Sequence, residues 1–484
     1  MAYLELWRQD REDEGGGEAR CRELLDELVQ GAPLADSAGA LLDLYHLGLP
    51  GAPTPRQLRE ASRAGRHRAS AYDALDRVLS GPRAEAWLSW MAHDVLLGRE
   101  RHSESRRQVA LGLLIDHRSE AGKLAILTIA RDVEDPLRPA ALSSMPAWRD
   151  EAVDLFLVGL VGRTFDKRGG APHPFNLLLE RIRDSSAPLG LRATQKLNKR
   201  IAYMLISPDW RIASRGIELA RGIDPTEGIP LLLDALQVWN RRFEFGGEGS
   251  KRVQHEVVRE LQRISGMEIG AYARRWRTWW IAVRQGRAPL RRASAAAEGR
   301  TSASFFGIQP SSDRVTFVID CSGSMGTEWG TSGHSRYQEA IDQMMQYLQA
   351  SGEDTRFNVI LFNDSTERSS AHLVAATTKT LEKARNELLE FVPDLGTKLR
   401  PAVELALRMG PGGTFDPKLV TADTVVVLCD GETAEGPRWV RPLLERIHAE
   451  ARVVFHCVMI GQRGDGTLEL LAERSGGDFV RVPG

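Results

Sequence analysis

Apolar residues recur at three- and four-residue steps between residues 20 and 285, with little of the strict alternation that marks a half-buried strand. That spacing places apolar side chains along one face of a helix, so it predicts an all-α region. After residue 310, short apolar runs alternate with helical stretches. Residues 288–304, rich in Ala, Arg, Ser and Gly, show neither pattern and indicate a flexible linker. The predicted organisation is an N-terminal tail (1–19), an α-helical region (20–285), a linker (286–309) and a second folded domain (310–484).

Three segments of the helical region look alike, and each places an arginine two to four residues before small alanines and an apolar stripe. Arg107 and Arg138 are separated by about one unit of roughly 36 residues, and Arg138 and Arg211 by about two. A unit of this length is within the range of helix-pair repeats. A small alanine lets neighbouring helices approach, and the preceding Asp or Pro suits the first turn of a helix. The region resembles a solenoid of HEAT repeats, and an irregular helical bundle is the alternative.

Three tryptophans, Trp276, Trp279 and Trp280, lie among basic residues near the end of the helical region. Their i, i+3, i+4 spacing puts them on one face of a helix and predicts core positions. Stacking against nucleic-acid bases is the alternative use of aromatic side chains interleaved with positive charge.

The second domain begins with Val315–Asp320, an apolar run that ends in an acid, as in a strand buried on both faces of a parallel sheet. Further strands are predicted at 357–362, 424–428, 453–460 and 479–482. Helices are predicted at 336–351, 381–389, 399–409, 439–451 and 468–474. This alternation predicts a doubly wound α/β sheet of the Rossmann-like class, which binds ligands at the carboxyl ends of its strands.

Polar side chains lie at those strand ends. The segment Asp320-Cys321-Ser322-Gly323-Ser324 ends the first strand, Asp430 follows the central strand, and Thr397 precedes a helix between them. Carboxylate and hydroxyl oxygens are hard ligands of the kind that Mg²⁺ prefers. Because an Asp-x-Ser-x-Ser segment alone is also typical of a helix cap, the prediction depends on all three segments together.

These segments resemble the metal-ion-dependent adhesion site of von Willebrand factor type A (vWA) domains. The resemblance extends to Phe306-Gly307-Ile308 before the first strand and to residues 477–482 at the end of the chain. It implies a vWA fold whose metal site takes hydroxyl ligands from Ser322, Ser324 and Thr397 and acids from Asp320 and Asp430.

The resemblance also implies a cofactor and a protein partner. In vWA domains an Asp or Glu of the protein ligand commonly completes the metal coordination, so Mg²⁺, with Mn²⁺ or Ca²⁺ as alternatives, would hold an acidic residue of a partner. Two positions depart from the family. Leu395 stands where glycine is frequent, and Cys429 stands where Ser or Thr is frequent. Both departures bear on the position of the third hydroxyl and on the surroundings of the acids.

Composition sets the broad class of the protein. At 484 residues the chain exceeds the size of one core, and 42% apolar with 27% charged residues is ordinary for a soluble protein. No apolar run reaches the length of a membrane span, and the first residues show no secretory signal. Four scattered cysteines fit a reducing compartment, so we expect a cytoplasmic, bacterial protein that does not bind membranes.

The motifs of common enzymes are missing from the sequence: it contains no Gly-x-Ser-x-Gly elbow, no His-Glu-x-x-His and no Walker A segment. We therefore expect a non-enzymatic, metal-dependent protein-binding adaptor or scaffold, with one binding surface on the helical repeats and another on the vWA metal face. Helical repeats followed by a vWA domain also resemble the layout of Ro ribonucleoproteins, which makes RNA binding an alternative. An accessory subunit of a chelatase or AAA+ machine is a further alternative.

Overall fold

The computed structural model describes residues 79, 84–161, 173–184, 187–290, 304–331, 333–394 and 396–483. The predicted N-terminal tail, the first part of the predicted helical region, most of the predicted linker and Leu395 lie outside the described residues. The chain divides into two compact units, residues 1–190 and residues 191–484. The boundary between these units falls inside the predicted helical region.

The first unit is helical throughout its described part. Its helices are α1 (Ala84–Trp90), continued by a π-helical turn at Met91–Leu96, α2 (Glu104–His117), α3 (Glu120–Arg131), α4 (Arg138–Ser144), α5 (Glu151–Leu160) and α6 (Pro174–Arg183). Side chains cap several helix starts: the Ser103 and Ser119 hydroxyls accept from the backbone N–H groups of Arg106 and Gly122.

Buried ion pairs join neighbouring helices of the first unit. Arg107, 2% exposed, bonds the Asp135 carboxylate and donates from Nε to the Leu96 carbonyl at 2.7 Å. Arg181 and Asp154 form a second buried pair, with Nε and Oδ1 2.8 Å apart. Because an unpaired buried charge is costly, the first pair fixes α2 against the loop between α3 and α4, and the second fixes α5 against α6. The helical prediction is confirmed for the described residues, and the HEAT solenoid stays a prediction.

The second unit begins with five more helices: α7 (Leu191–Leu205), α8 (Trp210–Gly222), α9 (Pro225–Glu244), α10 (Lys251–Ser265) and α11 (Ala273–Arg284). Trp276 is fully buried and Trp279 is 8% exposed, as predicted for core positions, whereas Trp280 is only half-buried. The Trp276 Nε1–H donates to the Gly270 carbonyl at 2.7 Å, so its polar edge is satisfied inside the protein. These two rings are therefore not available for stacking on bases.

A mixed sheet completes the second unit. Its strands are β1 (Arg314–Asp320), β2 (Arg356–Phe362), β3 (Thr366–Arg368), β4 (Val374–Ala375), β5 (Thr424–Cys429), β6 (Val454–Ile460) and β7 (Phe479–Val482). The strand order is β3-β2-β1-β5-β6-β7, with β4 also paired to β2. The five longer strands are parallel, whereas β3 and β4 run antiparallel to β2. The doubly wound sheet is confirmed, and the short antiparallel strands were not predicted.

Helices cover both faces of the sheet. They are α12 (Arg336–Ser351), α13 (Thr378–Leu389), α14 (Leu399–Ala406), α15 (Val440–Ala451) and α16 (Thr467–Ser475). Because strand side chains alternate, Phe317 and Ile319 of β1 pack with α12 and α13, whereas Val318 packs with α14 and α15 on the other face. The chain reverses its winding between β1 and β5, which makes the carboxyl ends of these two strands the expected ligand position.

Buried polar contacts attach the helices of the second unit to the sheet. Asp423, fully buried just before β5, accepts from the Ser250 hydroxyl at 2.7 Å at the start of α10. The Arg252 guanidinium donates to the Arg452 carbonyl at 2.9 Å, and the Trp210 Nε1–H donates to the Ala451 carbonyl at 3.1 Å. These bonds hold α8 and α10 against the amino ends of the strands.

No helix in the described ranges is long and apolar enough to cross a membrane.

Candidate metal site

The carboxyl ends of β1 and β5 bring four of the five predicted site residues together. Asp320 is the last residue of β1, and the chain then turns through a short 3₁₀ helix, Gly323–Gly326, that carries Ser324. Asp430 directly follows β5, the neighbouring parallel strand. Adjacent parallel strands end at the same edge of a sheet, so the local fold itself delivers these side chains to one place.

Hydrogen bonds connect these four residues in sequence. The Asp320 Oδ1 accepts from the Ser322 backbone N–H at 2.7 Å, and the Ser322 and Ser324 hydroxyl oxygens are 3.1 Å apart. The Ser324 hydroxyl donates to the Asp430 Oδ1 at 2.8 Å. Asp320 and Ser322 are buried, whereas Ser324 is exposed, so the cluster reaches the surface through Ser324.

Thr397 lies in the loop between α13 and α14, and its neighbour Leu395 lies outside the described residues. The Thr397 carbonyl accepts from the Ala434 N–H at 2.9 Å, which ties this loop to the segment that follows Asp430. Within the described ranges, the Thr397 hydroxyl forms no hydrogen bond to the other four predicted ligands. The structure therefore brings the Thr397 loop to the site without connecting its side chain to the cluster.

Arg336 is a site residue that sequence reasoning missed. Its Nη1 donates to the Asp430 Oδ2 at 2.8 Å, and the two side chains are 20% and 1% exposed. The contact spans 94 residues of sequence, so no local pattern could have indicated it.

The position of Arg336 is fixed by the loop before it. Arg336 is the first residue of α12, whose start is closed by a capping box between Ser335 and Gln338. A bridge between Glu328 and Ser335 folds the preceding segment back on itself, and the Trp329 ring packs 5.7 Å from that of Phe306.

Cys429, the departure from the family pattern beside Asp430, contacts the other acid. Its Sγ–H donates to the Asp320 Oδ2 at 3.0 Å. Burial raises the pKa of Asp320 to about 6, although hydrogen bonds from Cys429 and Ser322 oppose that rise. Burial also raises the pKa of the Cys429 thiol well above its usual range, so the thiol keeps its proton and remains a donor.

The donor set suits a hard divalent cation. The 3.1 Å between the two serine oxygens is close to the roughly 3.0 Å between adjacent ligands of an octahedral ion with bonds of about 2.1 Å. Within the described residues, no group of three or more His, Cys, Asp and Glu side chains could hold a metal ion. A cation at this edge would therefore depend on the serine hydroxyls, as the sequence predicts.

Comparison with known families decides the class of this fold. Residues 315–483 match the family model described as the von Willebrand factor type A domain. This part of the chain is a vWA domain. The match confirms the prediction of a vWA fold for this part of the chain. A vWA domain points to a role in protein interaction.

Solved structures provide further comparisons. The conserved hypothetical protein BatB from Bacteroides thetaiotaomicron is 20% identical over 35% of this chain and 89% of its own, with a TM-score of 0.27. Proximal thread matrix protein 1 from the mussel byssus, solved with a zinc-occupied MIDAS motif, is 19% identical over 34% of this chain, with a TM-score of 0.26; only 40% of its own length is covered. The Deinococcus radiodurans RO (RSR) protein is 12% identical over 91% of this chain and 83% of its own, with a TM-score of 0.23. No curated protein gives a significant match.

Proposed function

We propose that this chain is a non-enzymatic adaptor or scaffold whose vWA domain binds an acidic residue of a partner protein through a divalent cation, most simply Mg²⁺. The observation that carries the proposal is the pair of serine hydroxyls 3.1 Å apart, flanked by two acids at the switch point of the sheet. The cluster consists mainly of hydroxyl and carboxylate oxygens, the ligands that a hard cation prefers, so we propose binding rather than catalysis.

Each of the five predicted ligands would make a different contribution to cation binding. Ser322 and Ser324 would supply hydroxyl oxygens, Thr397 would add a third through a small shift of its loop, and Asp320 and Asp430 would provide negative charge. The bound cation would supply a Lewis-acidic position for one more carboxylate, which the partner provides. Asp320 orients Ser322, and Asp430 orients Ser324, through the hydrogen bonds already present.

Arg336 supports a partner with an acidic contact residue. Its guanidinium offsets part of the negative charge of Asp430, so the cluster carries less charge than two free carboxylates would. A cation held there would be less fully neutralised and would attract an additional carboxylate more strongly. The exposed Ser324 lies on the side from which such a group would approach.

The proposal also includes the cellular compartment of the protein. Cys321, Cys429 and Cys457 are buried free thiols, as expected in a reducing compartment. These thiols support the cytoplasmic setting that we propose.

Calorimetric titration of Mg²⁺ and Mn²⁺ into the full chain tests the metal site. We expect saturable binding to the wild type and a loss of binding in Asp320→Ala and in Ser324→Ala. Asp354→Ala is the matched control, because Asp354 is 92% exposed and precedes β2 at the opposite edge of the sheet. Equal titration curves for the wild type and both site variants would refute the site.

A pull-down with the same variants tests the partner. Proteins that bind the wild type in Mg²⁺, and are released by a chelator and lost in Ser324→Ala, are the expected partners. Capture that is insensitive to both chelator and Ser324→Ala would mean that the metal face is not the binding surface.

A further inference from the structure

A second candidate site lies at the opposite edge of the sheet from the metal cluster. There a cavity of about 490 Å³ opens between α10 and the amino ends of β5, β6 and β7. One wall is a face of α10, and the other is formed by the residues just before β1 and by the turn at Gly476–Asp478. We call this cavity the α10 cleft. Its volume is in the range of small-molecule sites.

The acids that line the α10 cleft are already bonded within the protein. The Glu256 Oε1 accepts from the Arg252 Nη1 at 2.8 Å, and the Asp478 carboxylate lies 3.0 Å from the His456 Nδ1. Arg252 is committed as well, because it also donates to the Arg452 carbonyl. Glu256 is therefore paired with Arg252, whereas Asp478 keeps its negative charge when His456 is neutral.

Three side chains of α10 present hydrogen-bond donors to the cleft. His255, Arg259 and Gln262 line the cleft at i, i+4 and i+7, on one face of the helix, and their side chains form no hydrogen bond within the described part of the chain. Burial and the nearby Arg259 lower the pKa of His255, yet a neutral imidazole still donates one N–H. Asp478 attracts Arg259 and His255 electrostatically but accepts no hydrogen bond from them, so these donors can still bind the oxygens of an anion.

We propose that the α10 cleft binds a small organic molecule through its phosphate groups. Arg259 would pair with phosphate oxygens, and His255 and Gln262 would donate to oxygens farther along the ligand. The three side chains extend over about 10 Å of helix, which is longer than one phosphate and suits a diphosphate. Ile308 and the half-buried Phe479 and Val480 provide an apolar surface for the organic part of the ligand.

This site is independent of the proposed metal function. The cleft uses no residue of the metal cluster and lies at the other ends of the strands. Phosphate binding there would add a small-molecule input to a protein whose other surface binds a partner.

Calorimetry with ADP, inorganic pyrophosphate and succinate tests the proposal on the full chain, with EDTA present so that metal-bound phosphate does not contribute. We expect saturable binding of ADP and pyrophosphate and no binding of succinate. Arg259→Gln should weaken ADP binding roughly tenfold or more, as when a charge-assisted hydrogen bond is lost. Gln262→Leu should weaken it less.

Two control variants make the result decisive. Arg274→Gln removes an exposed arginine from α11, the next helix, and should bind ADP like the wild type. Asp320→Ala should also bind ADP normally, so failure of the metal site and failure of the cleft remain distinguishable. No binding of either phosphate compound, preferential binding of succinate, or equal ADP affinity in Arg259→Gln would each overturn the proposal.

Discussion

Arg336 places a permanent positive charge on one of the two acids of the metal cluster. An arginine cannot lose its proton at physiological pH, so this charge is present whether or not a metal is bound. It contacts Asp430 at 2.8 Å and therefore competes directly with any cation for the same carboxylate. A metal ion must therefore compete with the Arg336 guanidinium for Asp430, which lowers the affinity of the site for metal.

Replacement of Arg336 by glutamine should strengthen Mg²⁺ binding by roughly tenfold, because one nearby positive charge is removed. The same variant should be less stable without metal by about 1–3 kcal/mol, since Asp430 loses its partner, and Mg²⁺ should restore that stability. Calorimetry and thermal unfolding with and without Mg²⁺ measure both effects. Arg385→Gln, which breaks an exposed pair with Asp342, is the control. Weaker Mg²⁺ binding in Arg336→Gln would show that Arg336 instead positions Asp430 for the metal.

At the scale of elements, the loop between β6 and α16 is held by one carboxylate. The Asp465 Oδ2 accepts from the Thr433 hydroxyl at 2.7 Å and from its N–H at 3.0 Å, and Oδ1 accepts from the Thr467 N–H at 2.9 Å. Asp465 belongs to an Arg-Gly-Asp tripeptide, but its carboxylate is committed to these internal bonds. The loop after Asp430 and the start of α16 are thereby joined.

Lowering the pH should weaken the connection that Asp465 makes between the loop after Asp430 and the start of α16. Burial alone would raise the pKa of Asp465, but the hydrogen bonds from Thr467 and Thr433 outweigh it and hold the pKa below its ordinary value. The carboxylate therefore stabilises the fold fully above about pH 5, and this contribution is lost as the pH falls below the ordinary Asp pKa of about 3.9. We expect Asp465→Asn to lower the thermal midpoint at pH 6, and the difference from the wild type should become smaller as the pH falls towards 3. A constant difference between the two proteins at both pH values would contradict this account.

Elements with a periodic pattern of buried residues could be predicted from the sequence. Elements too short to show a period could not. Strand β7 and helix α12 have the predicted bounds, and the strands at the centre of the sheet differ from prediction by one residue at an end. Strands β3 and β4 have three and two residues, so no alternation can mark them. In the site, Asp320, Ser322, Ser324 and Asp430 could be grouped because strand ends meet. Arg336 could not, because its contact depends on how a loop folds back.

At the scale of the whole second unit, Asp423 joins the helices to the vWA domain. This fully buried carboxylate accepts from Ser250 on the helical side and from Ser312 and Thr424 on the sheet side. The Arg252 Nε lies 3.6 Å from it and balances its charge. The two parts of the second unit therefore share one buried polar centre.

Asp423→Ala should destabilise the second unit by about 3 kcal/mol, because several buried donors and a buried guanidinium lose their acceptor. Hydrogen exchange should show faster exchange in both α10 and β5, since one cooperative unit opens together. Asp354→Ala, an exposed substitution of the same type, should leave both unchanged. Faster exchange in β5 alone would show that the helices and the sheet open separately.

Strand β5 begins directly after Asp423 and ends directly before Asp430. It is hydrogen-bonded on both sides and buried along its whole length, and its two ends lie about 17 Å apart. A displacement of one end that is transmitted along the strand would reach the other. If occupancy of the α10 cleft changes the affinity of the metal face for its partner by some factor, partner binding changes the affinity of the cleft for its ligand by the same factor, because the two equilibria are thermodynamically linked.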